Sequence, residues 1–505
     1  MQLFIFAAEM KALLAGLLFL TFFSLKSTAA EYSFNYTPAC AQAYHQYLAL
    51  KPTSADGIIE REILAHPYNL LPIYLSDYGD FLTLLLNGDP HERAERAGHE
   101  SERIRLINLG DDHDPWKRLC LAGVHVHWAI IHIRFGEQLK AAMAFRKSYL
   151  LLKENTALYP DFAPNKVLYG AEEAIAGTIP DEYNWLMSIF GTRGSLSGGS
   201  ARLNAYLKEN RTGSPLFEEA QIYDLYIRFY LQASKASAWK VVSSDTQFDV
   251  KDNLLRAFIR TNLALSYRKA DYAYATLQQA YTMPGIRNYP VFDYEMGCTQ
   301  LLRLQPDCVR YLESFVSRNK GKLFNKDALQ KAAFANYLQG NTSKAESFRQ
   351  SILKAGSLIT DADRQAQRFA KNGTWPNPLL LMVRLMIDGG YYQQALQKLQ
   401  ATNLAAFSTI PDQLEYNFRL GRALEENGDA VKAVQVYQQV INKGKERPEY
   451  FAARSALQMA GIYELRSQIQ EAKTYYELCL SMKDHDFQSS IDQQAKAGLN
   501  RLSHN

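Results

Sequence analysis

Along most of the chain, apolar and small side chains return every three or four positions, with charged and amide residues between them. Single-residue alternation bounded by hairpin turns, the mark of a strand, is hard to find. The pattern predicts an all-α chain of many helices joined by short turns. One stretch stands apart: Ala12 to Leu25 is almost unbroken apolar, whereas Ala129 to Ile133 and Leu379 to Met386 are short and interrupted by polar groups.

That stretch has Lys11 before it and Lys26-Ser27-Thr28-Ala29-Ala30 after it, which is the anatomy of a secretory signal peptide cleaved after Ala30. Met10 is the more natural start, because it places Lys11 at the N-terminus. No cysteine follows closely enough for a lipidated N-terminus, since the next one is Cys40. The expectation is export to a bacterial periplasm or the outer-membrane periphery, with a mature chain that is not an integral membrane protein. Retention of residues 1–30 would instead leave a membrane anchor.

At 505 residues the chain exceeds the roughly 250–300 residues at which one hydrophobic core stops growing. It must therefore form several domains or an elongated array, and the sequence points to the array. Leu420-Gly421-Arg422-Ala423-Leu424 is followed by Gly428, Ala433 and Tyr437. At the same offsets stand Ala460, Tyr463, Ala472, Tyr476 and Cys479, with Ser467 where the turn glycine would be. The second-helix alanines Ala433 and Ala472 lie 39 residues apart, and Gly390, Ala395 and Leu399 give a copy 38 residues earlier. A poorer copy, Ala333, Gly340 and Ala345, lies a further 50 residues back. Two antiparallel helices approach closely only where one presents Gly or Ala and a large side chain fills the adjacent hollow, so small and large positions recur in step.

These residues resemble the tetratricopeptide repeat family over about Pro378 to Lys483, and back to Asn325 in weaker form. The connection Asn442 to Tyr450 is longer than the family's usual link, and Pro448 matches the inter-repeat proline only loosely. The resemblance implies an all-α, helix-turn-helix repeat solenoid wound as a right-handed superhelix. Residues 325–505 are its repeats, and residues 31–324 are irregular helical pairs. Within that irregular region, Phe135-Gly136, Ala141, Phe145 and Ser148 repeat the turn-glycine, alanine, aromatic order as far as Tyr159-Pro160. From Tyr169-Gly170 to Leu207 a helix, a break at Pro180, a second helix ending at Phe190-Gly191 and a Gly/Ser turn lead into another helix. This segment bears a faint likeness to tetratricopeptide proteins related to a fungal inclusion-body clearance factor.

Charge adds little. The formal net charge of +4 falls by one when Lys11, Lys26 and Glu9 leave with the signal, and no basic tail or stripe marks a nucleic-acid partner. The five cysteines, Cys40, Cys120, Cys298, Cys308 and Cys479, are odd in number and scattered, and contain no CxxC pair. They read as buried small side chains, with a Cys298–Cys308 bridge as the alternative.

Candidate chemistry is sparse. The loop Gly191 to Ser200 precedes a helix, but it lacks the Gly-Lys-Ser/Thr ending of a P-loop and no strand leads into it, so it reads as a flexible connection. His91, Glu95 and His99 would share one helical face, yet the outer histidines would stand about 12 Å apart along the axis and cannot meet at one ion. His125, His127 and His132, with His113 nearby, read as hydrogen-bonded interface residues. The competing reading makes them a metal-dependent catalytic domain served by recruiting repeats. Asp111-Asp112-His113-Asp114 lacks the glycine and glutamate of a calcium loop and reads as a polar turn before a helix near Pro115.

The family's ligands lie along the concave face made by first helices. Carried across, its contact positions are Glu415, Phe418, Arg422 and Glu425 in one unit and Arg454, Leu457 and Glu464 in the next. Mixed charges and apolar groups there suit a peptide or protein segment, while the alternative is an ordinary solvated face. The functional expectation is a non-catalytic interaction scaffold with no cofactor, no metal and a protein or peptide partner.

Overall fold

The computed structural model describes residues 31–178, 194–232 and 234–503. The expected signal segment, Pro180, Phe190 and Gly191 to Arg193 lie outside them. The described residues are built from α-helices, and their one isolated extended pairing joins Ser33 to Asn69. None of these helices is long and apolar enough to cross a membrane.

At the N-terminal end α1 (Pro38–Leu48) folds back on α2 (Pro52–Ala65). The short helices α3 (Leu71–Leu75), α4 (Asp77–Asn87), α5 (Pro90–Glu95) and α6 (His99–Ile107) follow. The long pair α7 (Pro115–Arg134) and α8 (Gln138–Leu158) leads to α9 (Asn165–Ala176) and α10 (Leu196–Glu209). Next come α11 (Phe217–Tyr226), continued by a π-helical turn at Ile227–Leu231, and α12 (Lys235–Val242). Regular pairs then take over. These are α13 (Leu254–Ser266) with α14 (Ala270–Ala280), α15 (Val291–Leu302) with α16 (Cys308–Arg318), and α17 (Asn325–Leu338) with α18 (Thr342–Lys354). The helix α19 (Asp361–Asn372) packs on both members of this last pair. Three further pairs are α20 (Pro378–Gly389) with α21 (Tyr392–Gln400), α22 (Ile410–Glu426) with α23 (Ala430–Gly444), and α24 (Phe451–Leu465) with α25 (Ile469–Ser481). The helix α26 (Gln488–Ser503) closes the stack. Most helices pack chiefly on their hairpin partner and the next unit, which makes the described residues an all-α helical-repeat solenoid.

One turn recurs along it. The link between paired helices contains a residue with left-handed backbone at Leu50, Gly136, Arg268, Leu304, Gly340, Gly390, Gly428 and Ser467. In each case the next amide donates five residues back, as in Lys51 to Gln46, Lys269 to Ala264, Asp429 to Leu424 and Gln468 to Tyr463. This bond satisfies a carbonyl that the helix end leaves open. The same turn therefore occurs on both sides of residue 325. One continuous buried apolar cluster also runs from Phe34 to Met296, so the irregular helices share a core with the first regular pairs.

Small and large positions interlock as the repeat demands. A Cβ on Gly421 would stand 2.5 Å from the ring of Tyr437, and one on Gly498 2.2 Å from that of Tyr476. The tyrosines are fastened at their far ends: Tyr437 Oη donates to Glu425 at 2.6 Å and Tyr476 Oη to Glu464 at 2.5 Å. The five cysteines are buried and free, Cys298 and Cys308 included.

Elements distant in the chain also meet. Lys51 Nζ lies 2.5 Å from Asp252, and Lys320 Nζ 3.7 Å from Asp89. Arg268 donates to Glu426 at 2.5 Å, Tyr391 Oη donates to Asp271 at 2.7 Å, and a Cβ on Gly390 would stand 2.2 Å from the Arg268 carbonyl oxygen. The turns of several hairpins thus touch one another directly.

Candidate functional site

The helices α20, α22, α24 and α26 are the first or closing helices of successive units, and they converge on a recess of about 300 Å³. Its wall takes Ile387 and Asp388 from α20, and Phe418, Arg419 and Arg422 from α22. Arg454 and Gln458 come from α24 with Tyr450 just before it, and Ser490, Ile491 and Gln494 come from α26 with Phe487 just before it. Arg268, in the turn between α13 and α14, completes it. The second helices α21, α23 and α25 contribute nothing to this wall, because their inward faces are spent on alanine and tyrosine packing.

Of the positions expected at a contact surface, Phe418, Arg422 and Arg454 line the recess. Phe418 is nonetheless only 3% exposed and packs its ring against Tyr437, Tyr450 and Phe451. Arg422 is buried behind two carboxylates, Glu425 at 2.6 Å and Glu426, and also reaches Gln458. Burial pulls its proton affinity down, but the neighbouring Glu425 and Glu426 carboxylates outweigh that and hold it above the ordinary range.

The remaining four do not line the recess. Glu415 accepts from Arg419 at 2.9 Å. Leu457 is a core residue between the last units. Glu425 and Glu464 are the acceptors of the Tyr437 and Tyr476 clamps, and Glu464 also holds Arg501 at 2.9 Å. First-helix spacing had grouped these with the groove because a helix face is wider than the strip left uncovered once the next unit packs on.

The other ten wall residues were missed. Ile387, Asp388, Arg419 and Gln458 lie on first helices beside the expected positions, Tyr450 lies in the connection before α24, and Arg268, Phe487, Ser490, Ile491 and Gln494 enter from outside the matched repeats, where register carries no signal.

The candidate histidines lie beside carboxylates, although the buried Nδ1 of His125 makes no hydrogen bond among the described residues. His127 Nδ1 lies 2.8 Å from Asp77, with both side chains wholly buried. His132 lies 2.6 Å from Glu137, and His125 3.8 Å from Glu100. His91 and His99, expected on one helical face, belong to separate helices, α5 and α6, because Arg96 to Gly98 break the helix between them. His91 meets Glu95 at 3.3 Å, and His99 meets Asp80 at 2.7 Å. Among the described residues, no three His, Cys, Asp or Glu side chains are grouped to hold an ion.

The Gly/Ser loop is also corrected in its described part. Gly198, Gly199 and Ser200 lie inside α10, whose N-cap Ser195 accepts from the Gly198 amide at 3.0 Å. A Cβ on Gly199 would stand 2.3 Å from the Gly170 oxygen. These glycines therefore serve a close helix crossing rather than a flexible connection.

No protein-family model matches the chain. Among curated proteins it is 26% identical over 166 residues to the chromosomal replication initiator protein DnaA of two strains of Lactobacillus delbrueckii subsp. bulgaricus, which is 32% of this chain and 32% of those proteins. The chain thus spans about a third of the length of the curated relatives it matches. Among solved structures it is similar to the P58(IPK) TPR domain, at 15% identity over 84% of this chain and 97% of that one, with a TM-score of 0.22. It is also similar to the human IFIT1 dimer with m7Gppp-AAAA, at 12% identity over 82% and 91% of the two chains, with a TM-score of 0.27. Scores this low carry nothing about a partner, and the repeat fold stands on the chain's own helices.

Proposed function

We propose that the protein is a non-catalytic scaffold that holds a segment of a partner polypeptide along the face made by α20, α22, α24 and α26. The observation that carries this reading is the recess itself. Three successive units bring their first helices, and α26 its closing helix, to one wall that mixes aromatic rings, guanidinium groups and amides, a composition suited to a peptide segment. The second helices use their recurring small and aromatic positions for internal packing, which leaves recognition to the first helices. We further propose that the protein works outside the cytoplasm, on the strength of the signal-like residues 1–30.

Site-specific photocrosslinking tests the groove. A photoreactive side chain at Gln494, in the wall, is compared with one at Val431, which is 60% exposed on the second helix α23. Crosslinked partner from Gln494 and none from Val431 supports the reading. Equal capture at both positions, or capture at Val431 alone, refutes it. Export is checked separately by N-terminal sequencing of the protein from native cells, where a start at Glu31 is expected.

A further inference from the structure

Away from the recess, large apolar side chains stand in water around the turn between α7 and α8. Ile133 lies at the end of α7, and Leu139 and Met143 lie one turn apart at the start of α8. The linker from α18 to α19 abuts the same turn, since a Cβ on Gly136 would stand 3.1 Å from Ile359. Ile359 and its neighbour Leu358 complete the group, and all five side chains are 40% to 61% exposed. Single exposed apolar residues are ordinary, whereas five gathered from two segments far apart in sequence form a patch that marks a contact surface. None of the five lines the recess.

The charge around this patch has one sign. Residues 133–147 and 353–364 carry six cationic side chains and three carboxylates, and each carboxylate is already engaged. Glu137 is bridged by Arg93, His132 and Lys140, and Asp361 by Arg364. Asp363 is buried and accepts from the backbone amides of Phe324, Lys326 and Asp327. Lys147 and Lys354 are exposed and form no ion pair among the described residues. The same holds for Lys322, whose carbonyl accepts from the Ser357 amide beside Leu358. Lys140, Met143 and Lys147 fall at i, i+3 and i+7, so cations and an apolar side chain share one face of α8.

We propose that this edge of the solenoid docks on the surface of a lipid bilayer rich in anionic headgroups. The five apolar side chains enter the interface, while Lys147, Lys322 and Lys354 meet the headgroup phosphates with their alkyl stems along the patch. The contact is peripheral, because no described helix is long and apolar enough to cross a membrane. Charge argues against a second copy of the chain as the occupant: a two-fold contact would set the unpaired lysines of one copy against the same lysines of the other. A fluid bilayer accepts side chains that stand out from a turn, whereas a folded partner would have to supply a matching hollow lined with carboxylates.

The test is vesicle co-sedimentation of the protein purified from native cells. Vesicles of phosphatidylcholine alone are compared with an equimolar mixture of phosphatidylcholine and phosphatidylglycerol. A lysine near an anionic surface adds about fivefold in affinity, so three should favour the mixed vesicles by about a hundredfold. Lys147→Gln, Lys322→Gln and Lys354→Gln together should remove that preference. Leu139→Ser with Met143→Ser should weaken binding to mixed vesicles at least about tenfold. Leu64→Ser changes an apolar side chain 82% exposed on α2, one turn after Glu60, and should bind as the parent does. Because every altered side chain is exposed, thermal midpoints should stay at the parent's value.

A second measurement needs no loss of binding. The five native cysteines are buried, so Leu139→Cys accepts an environment-sensitive fluorophore at a single site. Its emission should shift to the blue on mixed vesicles, and the same label at Leu64→Cys should stay unchanged. Equal binding to both kinds of vesicle, no binding to either, or a silent label at Leu139→Cys would overturn the proposal. An equal response from Leu64→Cys would do so too, since the chain would then meet lipid without this edge. A dimer in sedimentation equilibrium that Leu139→Ser with Met143→Ser dissolves would give the patch to a second copy and refute the lipid assignment.

Discussion

The recurring left-handed turn yields a reciprocal pair of substitutions. Gly428 and Ser467 occupy equivalent places, 39 residues apart, with φ of 86° and 58°. A Cβ on Gly428 would meet nothing within 4 Å, and Ser467 is solvent-exposed, so backbone conformation is what changes at each. A non-glycine residue in the left-handed region costs about 1–2 kcal/mol, because its Cβ crowds the following carbonyl oxygen. Glycine returns roughly 0.5–1 kcal/mol of that through the extra freedom of its unfolded chain. Ser467→Gly should therefore stabilise its hairpin by about 0.5–1 kcal/mol, and Gly428→Ala should destabilise its own by a similar amount.

A stack of repeats need not unfold as one unit, so the local readout is amide hydrogen exchange at Gln468 and Asp429. These amides make the turn's hydrogen bonds to Tyr463 and Leu424, each at 2.9 Å. Protection at Gln468 should rise roughly two- to fivefold in Ser467→Gly, and protection at Asp429 should fall by the same factor in Gly428→Ala. Shifts of the same sign in both variants, or none in either, would refute the claim that left-handed strain is the controlling quantity.

Two further expectations concern the core. Glu295, buried in α15, has its carboxyl pushed up to about 7 by burial, against the opposing pull of an Asn262 hydrogen bond and the Lys331 charge. Between its ordinary value of 4.5 and about 7 the folded chain keeps a proton that the unfolded chain has lost. That stabilising contribution is complete at lower pH and disappears as pH rises through 7, over a range of roughly 3 kcal/mol. Glu295→Gln should flatten this part of the stability-versus-pH curve and gain most at pH 8, as read by urea midpoints; an unchanged slope would show that other groups produce it. Gly421→Ala would place its Cβ 2.5 Å from the buried, Glu425-anchored ring of Tyr437 and should cost about 1–3 kcal/mol. By contrast, Gly461→Ala meets nothing within 4 Å inside α24 and should gain up to about 1 kcal/mol of helix propensity. Thermal midpoints moving in opposite directions would bear this out.

The all-helical repeat architecture was legible from the order of small and large residues, and so were the turns wherever glycine occupies the left-handed position. It was illegible at Leu50, Arg268 and Leu304, where an ordinary side chain bears the same conformation and leaves no compositional mark. The recess was only partly legible for a related reason. Phe418, Arg422 and Arg454 follow from register, but Glu425 and Glu464 satisfy the same periodicity while serving their tyrosines. Arg268 reaches the wall from more than a hundred residues away, across a contact that no local pattern encodes. The histidines show the reverse case: their spacing invited chemistry, while the interruption of the helix at Arg96 to Gly98 and the nearby carboxylates set their surroundings.

The contact of Arg268 with Glu426 and Gly390 has a mechanical consequence. An open coil of repeats behaves as a spring, each unit yielding to load independently of those far along the chain. Here the ends of hairpins more than a hundred residues apart are clasped at the very wall of the recess, so extension of the coil must break the clasp before it can widen the groove. The recess is thereby held near a fixed gauge, and a bound segment would find its contacts already set at that spacing.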